Sequence, residues 1–202
     1  MALLRLSNGR VYTTLADITA RIGSIRVGAF NYPDSFRRQV EKLPVPLGEE
    51  AAQLIGDNLD PKAVELPMKE GLRHRRLGCI IPPQGNETTF VFAFGTSPKD
   101  TTPSQMTEEE MRSYLMPHRV MANDWHFVLR GGIIKGMQLE GEQQGVLYVQ
   151  PGEWIRLNPK AVNWPIFPSG DATIGVSYFD QEPDTLGQES NPEVKIRPDM
   201  LY

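Results

Sequence analysis

Asp124 and His126 stand two residues apart in Asp124-Trp125-His126-Phe127-Val128-Leu129-Arg130, a segment that reads as a β-strand. Side chains alternate faces along a strand, so the carboxylate and the imidazole project to the same side. A carboxylate beside an imidazole is equipped for two kinds of chemistry. Histidine titrates near neutrality and can pass a proton. The same donor types ligate non-haem iron when two histidines and one carboxylate converge. The bland alternative is a hydrogen-bonded polar pair inside a barrel strand. The chain has 3 histidines, and His118 lies six positions before Asp124. The third, His74, sits in the basic run Arg73-His74-Arg75-Arg76, which reads as a solvated strand edge.

Other chemistries lack their signatures. There is no G-x-S-x-G elbow and no Gly-rich phosphate loop. Gly131-Gly132 reads as a hairpin turn. The single cysteine, Cys79, falls in the apolar run Leu77-Gly78-Cys79-Ile80-Ile81 and reads as a small buried hydrophobe. One cysteine makes neither an intrachain disulfide nor a cysteine-rich zinc site. Formal net charge is -4, which argues against a general nucleic-acid binder. No stretch approaches 18 consecutive apolar residues, and no signal-peptide pattern opens the chain, so a cytoplasmic protein without membrane contact is expected.

Short strands and turns must position these residues. Leu3–Leu6 reads as an edge strand turning at Ser7-Asn8-Gly9. Thr14 is placed to cap a helix carrying Leu15, Ile18, Ile22 and Ile25, with Asp17 in its first turn. A strand over Val27–Tyr32 follows, then a helix from Asp34 through Leu43 and another over Leu47–Leu59. Strands are expected over Arg76–Ile81 and Thr88–Phe94, a polar loop over Ser97–Gln105 and a capped helix around Thr107–Met111. Beyond residue 118, closely spaced turns at Gly131-Gly132, Gly141, Pro151-Gly152, Asn158-Pro159 and Ser169-Gly170 indicate a sandwich or barrel. The division is a mainly helical front with an edge strand over 1–70, a barrel over 71–180 and a C-terminal tail over 181–202, expected as a surface wrap or a partly disordered stretch.

Two segments give this order a family likeness. Asp124-Trp125-His126-Phe127-Val128-Leu129-Arg130-Gly131 resembles the acireductone dioxygenase segment E-V-R-F-(I/F)-V-(E/D)-G. Val149-Gln150-Pro151-Gly152-Glu153-Trp154-Ile155-Arg156-Leu157 is similar to that family's V-P-A-G-x-x-H-x-F. The opening strand-turn-helix and Gly175-Val176-Ser177-Tyr178-Phe179 extend the resemblance over roughly residues 3–180, with gaps between 45 and 110. The resemblance implies a mostly β cupin fold, a single jelly-roll β-barrel with a small helical N-terminal part. It also implies a three-His, one-Glu site for iron or nickel. Those four positions fall on His118, Val120, Asp124 and Ile155, of which only His118 and Asp124 can donate.

The expectation is therefore a diverged cupin acting on a small oxo acid or enediol. It would work by proton transfer and isomerisation, or as an oxidoreductase with a reduced metal site, holding either no cofactor or a single iron or nickel ion. If His118 keeps its family position, His118, Asp124 and His126 converge as catalytic or metal-binding residues. Val120, Val128, Ile155 and Ser177 are expected to line the pocket. Trp125 and Trp154 point away from it, Arg156 points outward, and Trp164 and Phe167 lie in a loop at the barrel rim. The expected partner is a small-molecule ligand, with a homo-oligomer as a further option. The competing reading is a non-catalytic cupin that binds a ligand or another protein.

Overall fold

The structure, a computed structural model, describes residues 1–81, 91–95, 102–105, 115–159, 161–166, 172–182, 188–191 and 193–200. The expected helix around Thr107–Met111, Phe167 and the Ser169-Gly170 turn lie outside those residues. Elements follow in the order β1 (Leu3–Leu6), β2 (Val11–Tyr12), α1 (Leu15–Ile22), β3 (Ile25–Ala29), α2 (Asp34–Glu41), α3 (Glu49–Asn58), α4 (Pro61–Lys69), β4 (His74–Ile81), β5 (Val91–Gly95), β6 (Thr102–Gln105), β7 (His118–Val120), β8 (Asp124–Arg130), β9 (Ile133–Gln138), β10 (Gln144–Val149), β11 (Glu153–Leu157), β12 (Asn163–Ile166), β13 (Thr173–Phe179) and β14 (Gln188–Ser190).

The strands form two antiparallel sheets. One runs β14-β7-β12-β9-β10-β1-β2 and the other β3-β11-β8-β13-β4-β5-β6. The fold is thus mostly β, but among the described residues the strands make two open sheets rather than one closed barrel. The turns explain how the sheets are built. Gly131-Gly132 is not a hairpin: β8 and β9 lie in different sheets, and the pair carries the chain from one to the other. Both glycines have positive φ, 77° and 152°, which a side chain would strain. Pro151-Gly152 makes the return crossing from β10 to β11.

Alternation along the strands sorts the core into layers. Trp125, Phe127 and Leu129 face outward from the second sheet and are covered by Phe36, Val40, Ile55 and Ala63 of the helices. Cys79 is buried in this same cluster, as its apolar run suggests. Val128, Ile155 and Leu157 face inward and meet Leu4, Leu6, Met137 and Leu147 of the first sheet. A third cluster, Val146, Trp164 and Met200, covers the first sheet's outer face. The C-terminal segment closes over it, with Gln144 Nε2 donating to Lys195 O at 2.8 Å.

Local chemistry sets the helix ends. Thr14 Oγ1 accepts from the Asp17 amide at 3.1 Å. Gly23 ends α1 with φ 61°, so Ile25 begins β3 instead of extending the helix. An unanticipated helix, α4, starts at Asp60-Pro61, where Asp60 Oδ1 accepts from the Lys62 amide at 3.0 Å. Asp at the cap followed by Pro at the first helical position was the available signal.

Candidate functional site

The space between the sheets is divided. One half is the apolar cluster around Val128 and Ile155; the other holds polar side chains contributed by both sheets. A cavity of about 100 Å³ opens on the polar half, several times what one water needs. The polar side chains on its wall are Arg76, His126, Lys135, Thr173 and Ser177, and Ile80, Ile133 and Ile166 supply much of its apolar lining.

Asp124 and His126 emerge together on the inner face of β8, as parity requires. Asp124 Oδ2 is 3.0 Å from His126 Nε2, and Ser177 Oγ is 2.6 Å from His126 Nδ1. A carboxylate only accepts, so Nε2–H donates to it and Nδ1 is left to accept from the serine hydroxyl. The Ser177 register is set by β13, where Ser177 pairs with His126. The Asp124 side chain is 4% exposed, and its Oδ1 has no partner among the described residues. His126 also lies edge-on to Phe179, with ring centroids 6.1 Å apart.

His118 reaches this region from the first sheet. It is buried, and its Nδ1 lies 2.9 Å from Met116 O. Burial and the positive charge of Lys135 hold it below the usual imidazole value, against the opposing pull of the Met116 carbonyl and Asp124. Lys135 projects inward from β9, and its Nζ donates to Asn163 Oδ1 at 3.2 Å. Desolvation lowers its proton affinity, and Asp124 partly restores it.

Several expected placements differ. Of the four anticipated pocket residues, Ser177 alone lines this cavity. Val128 and Ile155 are fully buried in the apolar cluster, and Val120 is half-buried on β7. Trp164 is no rim residue: it lies on β12, 1% exposed, stacked over Gly136. Arg156 is not simply outward, since its Nε donates to Glu70 Oε2 at 2.6 Å and its Nη2 to Asn123 Oδ1 at 3.2 Å. The basic run is a solvated edge only in part. Arg73 is exposed, and His74–Arg76 are half-buried, pairing with β13 while the β5 pairing begins at Leu77; Arg76 lines the cavity and His74 meets Glu182. Arg76 and Lys135 are the site residues that sequence reasoning missed. Arg76 shares β4 parity with Gly78 and Ile80 on the same wall, and Lys135 interrupts the apolar run at Ile133-Ile134.

The iron or nickel implied by the resemblance can be tested against these donors. Ile155 and Val120 have none, and the walls around Ile155 are apolar. Asp124 Oδ2 is engaged by His126, and the Lys135 ammonium adds positive charge to the same region. Among the described residues, no three His, Cys, Asp or Glu side chains converge to hold an ion. Among the described residues His118 therefore does not complete a ligand triad with Asp124 and His126, and those residues do not fit the metal.

Fold and site together describe a two-sheet, cupin-like protein with a polar cavity between the sheets. No family profile matches the chain. An acireductone dioxygenase of Microcystis aeruginosa is 24% identical over 181 residues, covering 89% of this chain and 87% of its own. The solved structure of an acireductone dioxygenase from Bacillus anthracis, with a cadmium ion in its active centre, superimposes with a TM-score of 0.61. It is 12% identical and the match covers 90% of this chain and 94% of that one. The chain is thus similar in sequence to an acireductone dioxygenase and shares its fold with another.

Proposed function

We propose that this protein binds a small oxo acid or enediol in the cavity between its sheets and moves a proton on it, with His126 as the acid–base group. The observation that carries this reading is the hydrogen-bonded chain Asp124–His126–Ser177, whose last two members lie on the cavity wall. Asp124 fixes the imidazole tautomer, with Nε2–H held on the carboxylate and Nδ1 turned to Ser177. His126 can then exchange a proton with a bound carbon acid, directly or through the Ser177 hydroxyl. Arg76 supplies positive charge suited to a carboxylate or an enediolate, whose formation needs such stabilisation. The kinship with acireductone dioxygenases supports a small polar substrate, while the donor set favours proton transfer and isomerisation over oxygen chemistry at a metal.

Deuterium exchange at the methyl carbon of pyruvate in heavy water, followed by NMR, tests the reading. The wild-type protein is expected to accelerate exchange, and His126→Ala to lower the rate about 100-fold or more, the usual scale for a positioned acid–base group. Loss of exchange on metal chelation, with His126→Ala unaffected, would refute it. The non-catalytic alternative is favoured by one observation, the apolar side chains at Val120 and Ile155. It becomes the better account if oxo acids bind without any exchange.

A further inference from the structure

Lys135 is an amine of unusual placement. It sits mid-strand on β9 with Ile133 and Met137 on the same face, and the cavity opens onto it. Among the described residues its hydrogen-bond partner is the neutral Asn163 side-chain oxygen, and the attraction of Asp124 is outweighed by burial. On the facing sheet, His126 and Ser177 line the same cavity. An amine held by a neutral acceptor, in a small half-apolar cavity and beside a proton-transfer group, has what imine chemistry requires.

We propose that Lys135 is a nucleophile that forms an imine with the carbonyl carbon of a small oxo acid. The inference rests on the proposed substrate class but not on His126 being the group that moves the substrate's proton. The neutral Nζ lone pair attacks the carbonyl carbon, and the carbonyl π pair moves to oxygen, which takes a proton as Nζ gives up its first. The resulting carbinolamine loses that oxygen as water while Nζ loses its second proton, giving the C=N bond. The sum is amine plus ketone to imine plus water, with no oxidant or reductant. His126 is placed to give and take back the protons. Desolvation of Lys135 favours the neutral amine that attack requires. Arg76, on the opposite wall, is placed to receive the acid's carboxylate.

The test is reductive trapping of the full chain with pyruvate and borohydride, read by intact mass and peptide mapping. Hydride adds to the imine carbon and leaves a stable secondary amine on the modified lysine. At limiting pyruvate the expected result is at most one reduced adduct on any chain, mapped to Lys135, with labelling at least tenfold above that of exposed Lys69. Lys135→Met is expected to lose this adduct. Lys135→Arg, which keeps the charge, should lose it too while retaining the circular dichroism of the wild type. Because a variant can fail to fold, selectivity is also read in the wild-type protein unfolded in urea, where preference for Lys135 should vanish. Labels scattered over exposed lysines, with Lys135 unmodified, overturn the imine. Saturation-transfer NMR with pyruvate separates the two failures. Binding without trapping at Lys135 rejects the imine and leaves the oxo-acid site standing; absence of binding rejects both.

Discussion

Asp124 is the residue on which the site depends, because it is buried with one oxygen on His126 and the other without a partner. Replacing it with Asn keeps the shape but exchanges an acceptor-only carboxylate for an amide that no longer fixes the imidazole tautomer. Asp124→Asn is therefore expected to slow pyruvate exchange strongly while leaving binding within a few-fold. Ser177→Ala separates relay from position. If Ser177 passes the proton, its loss should cost about tenfold in exchange rate with little change in pyruvate affinity; an unchanged rate would show that His126 acts directly.

At the scale of elements, close approach between strands depends on missing side chains. Gly136 on β9 pairs with Trp164 on β12, and an added methyl would run into the indole. The indole is held at 1% exposure between Val146 and Met200, so it has little room to yield. Gly136→Ala is expected to destabilise the protein by about 1–3 kcal/mol, the usual range for overpacking. A denaturant midpoint equal to that of the wild type would mean the indole moves freely. A second element-level expectation concerns α4. Asp60 caps this helix through Oδ1 and accepts from the Asn31 amide at 3.1 Å through Oδ2, tying the helix to the segment after β3. Asp60→Ala removes both bonds and should cost at least the ~1 kcal/mol of a lost cap. Thermal unfolding measures it, and a melting temperature unchanged by the substitution would contradict the cap's role.

For the whole molecule, the polar half of the interior makes stability depend on pH. His118 is held below its ordinary value by burial and by Lys135. Between the folded and unfolded values the unfolded chain binds more protons, so stability rises with pH through that window. Acidification from about pH 7.5 to about pH 5.5 should therefore destabilise the protein. His118→Gln should lose less stability than the wild type over the same interval, compared by urea unfolding at both ends. Equal losses in the two proteins would show that other groups set the acid response.

Much of this architecture is legible in local patterns. The Thr14 cap, the shared face of Asp124 and His126, the burial of Cys79 and the outward turn of Trp125 follow from helix capping and strand parity, which need only neighbouring residues. The motif likeness covers both β8 and β11, but that the two strands pair, with Ile155 opposite His126, is seen only in the structure. What neighbours cannot specify is which strand pairs with which. Gly131-Gly132 reads as a hairpin because a two-residue glycine turn serves a hairpin and a crossing between sheets equally well. Arg76 and Lys135 look like ordinary surface charges, since nothing nearby in the chain marks the facing sheet that encloses them. The pairing of β13 with β8 brings Ser177 to His126 across 51 positions. Asn163 meets Lys135 in the same way through the pairing of β12 with β9. Parity assigns each side chain a face, but whether that face meets solvent, an apolar layer or a cavity is decided by the packing of one sheet on the other.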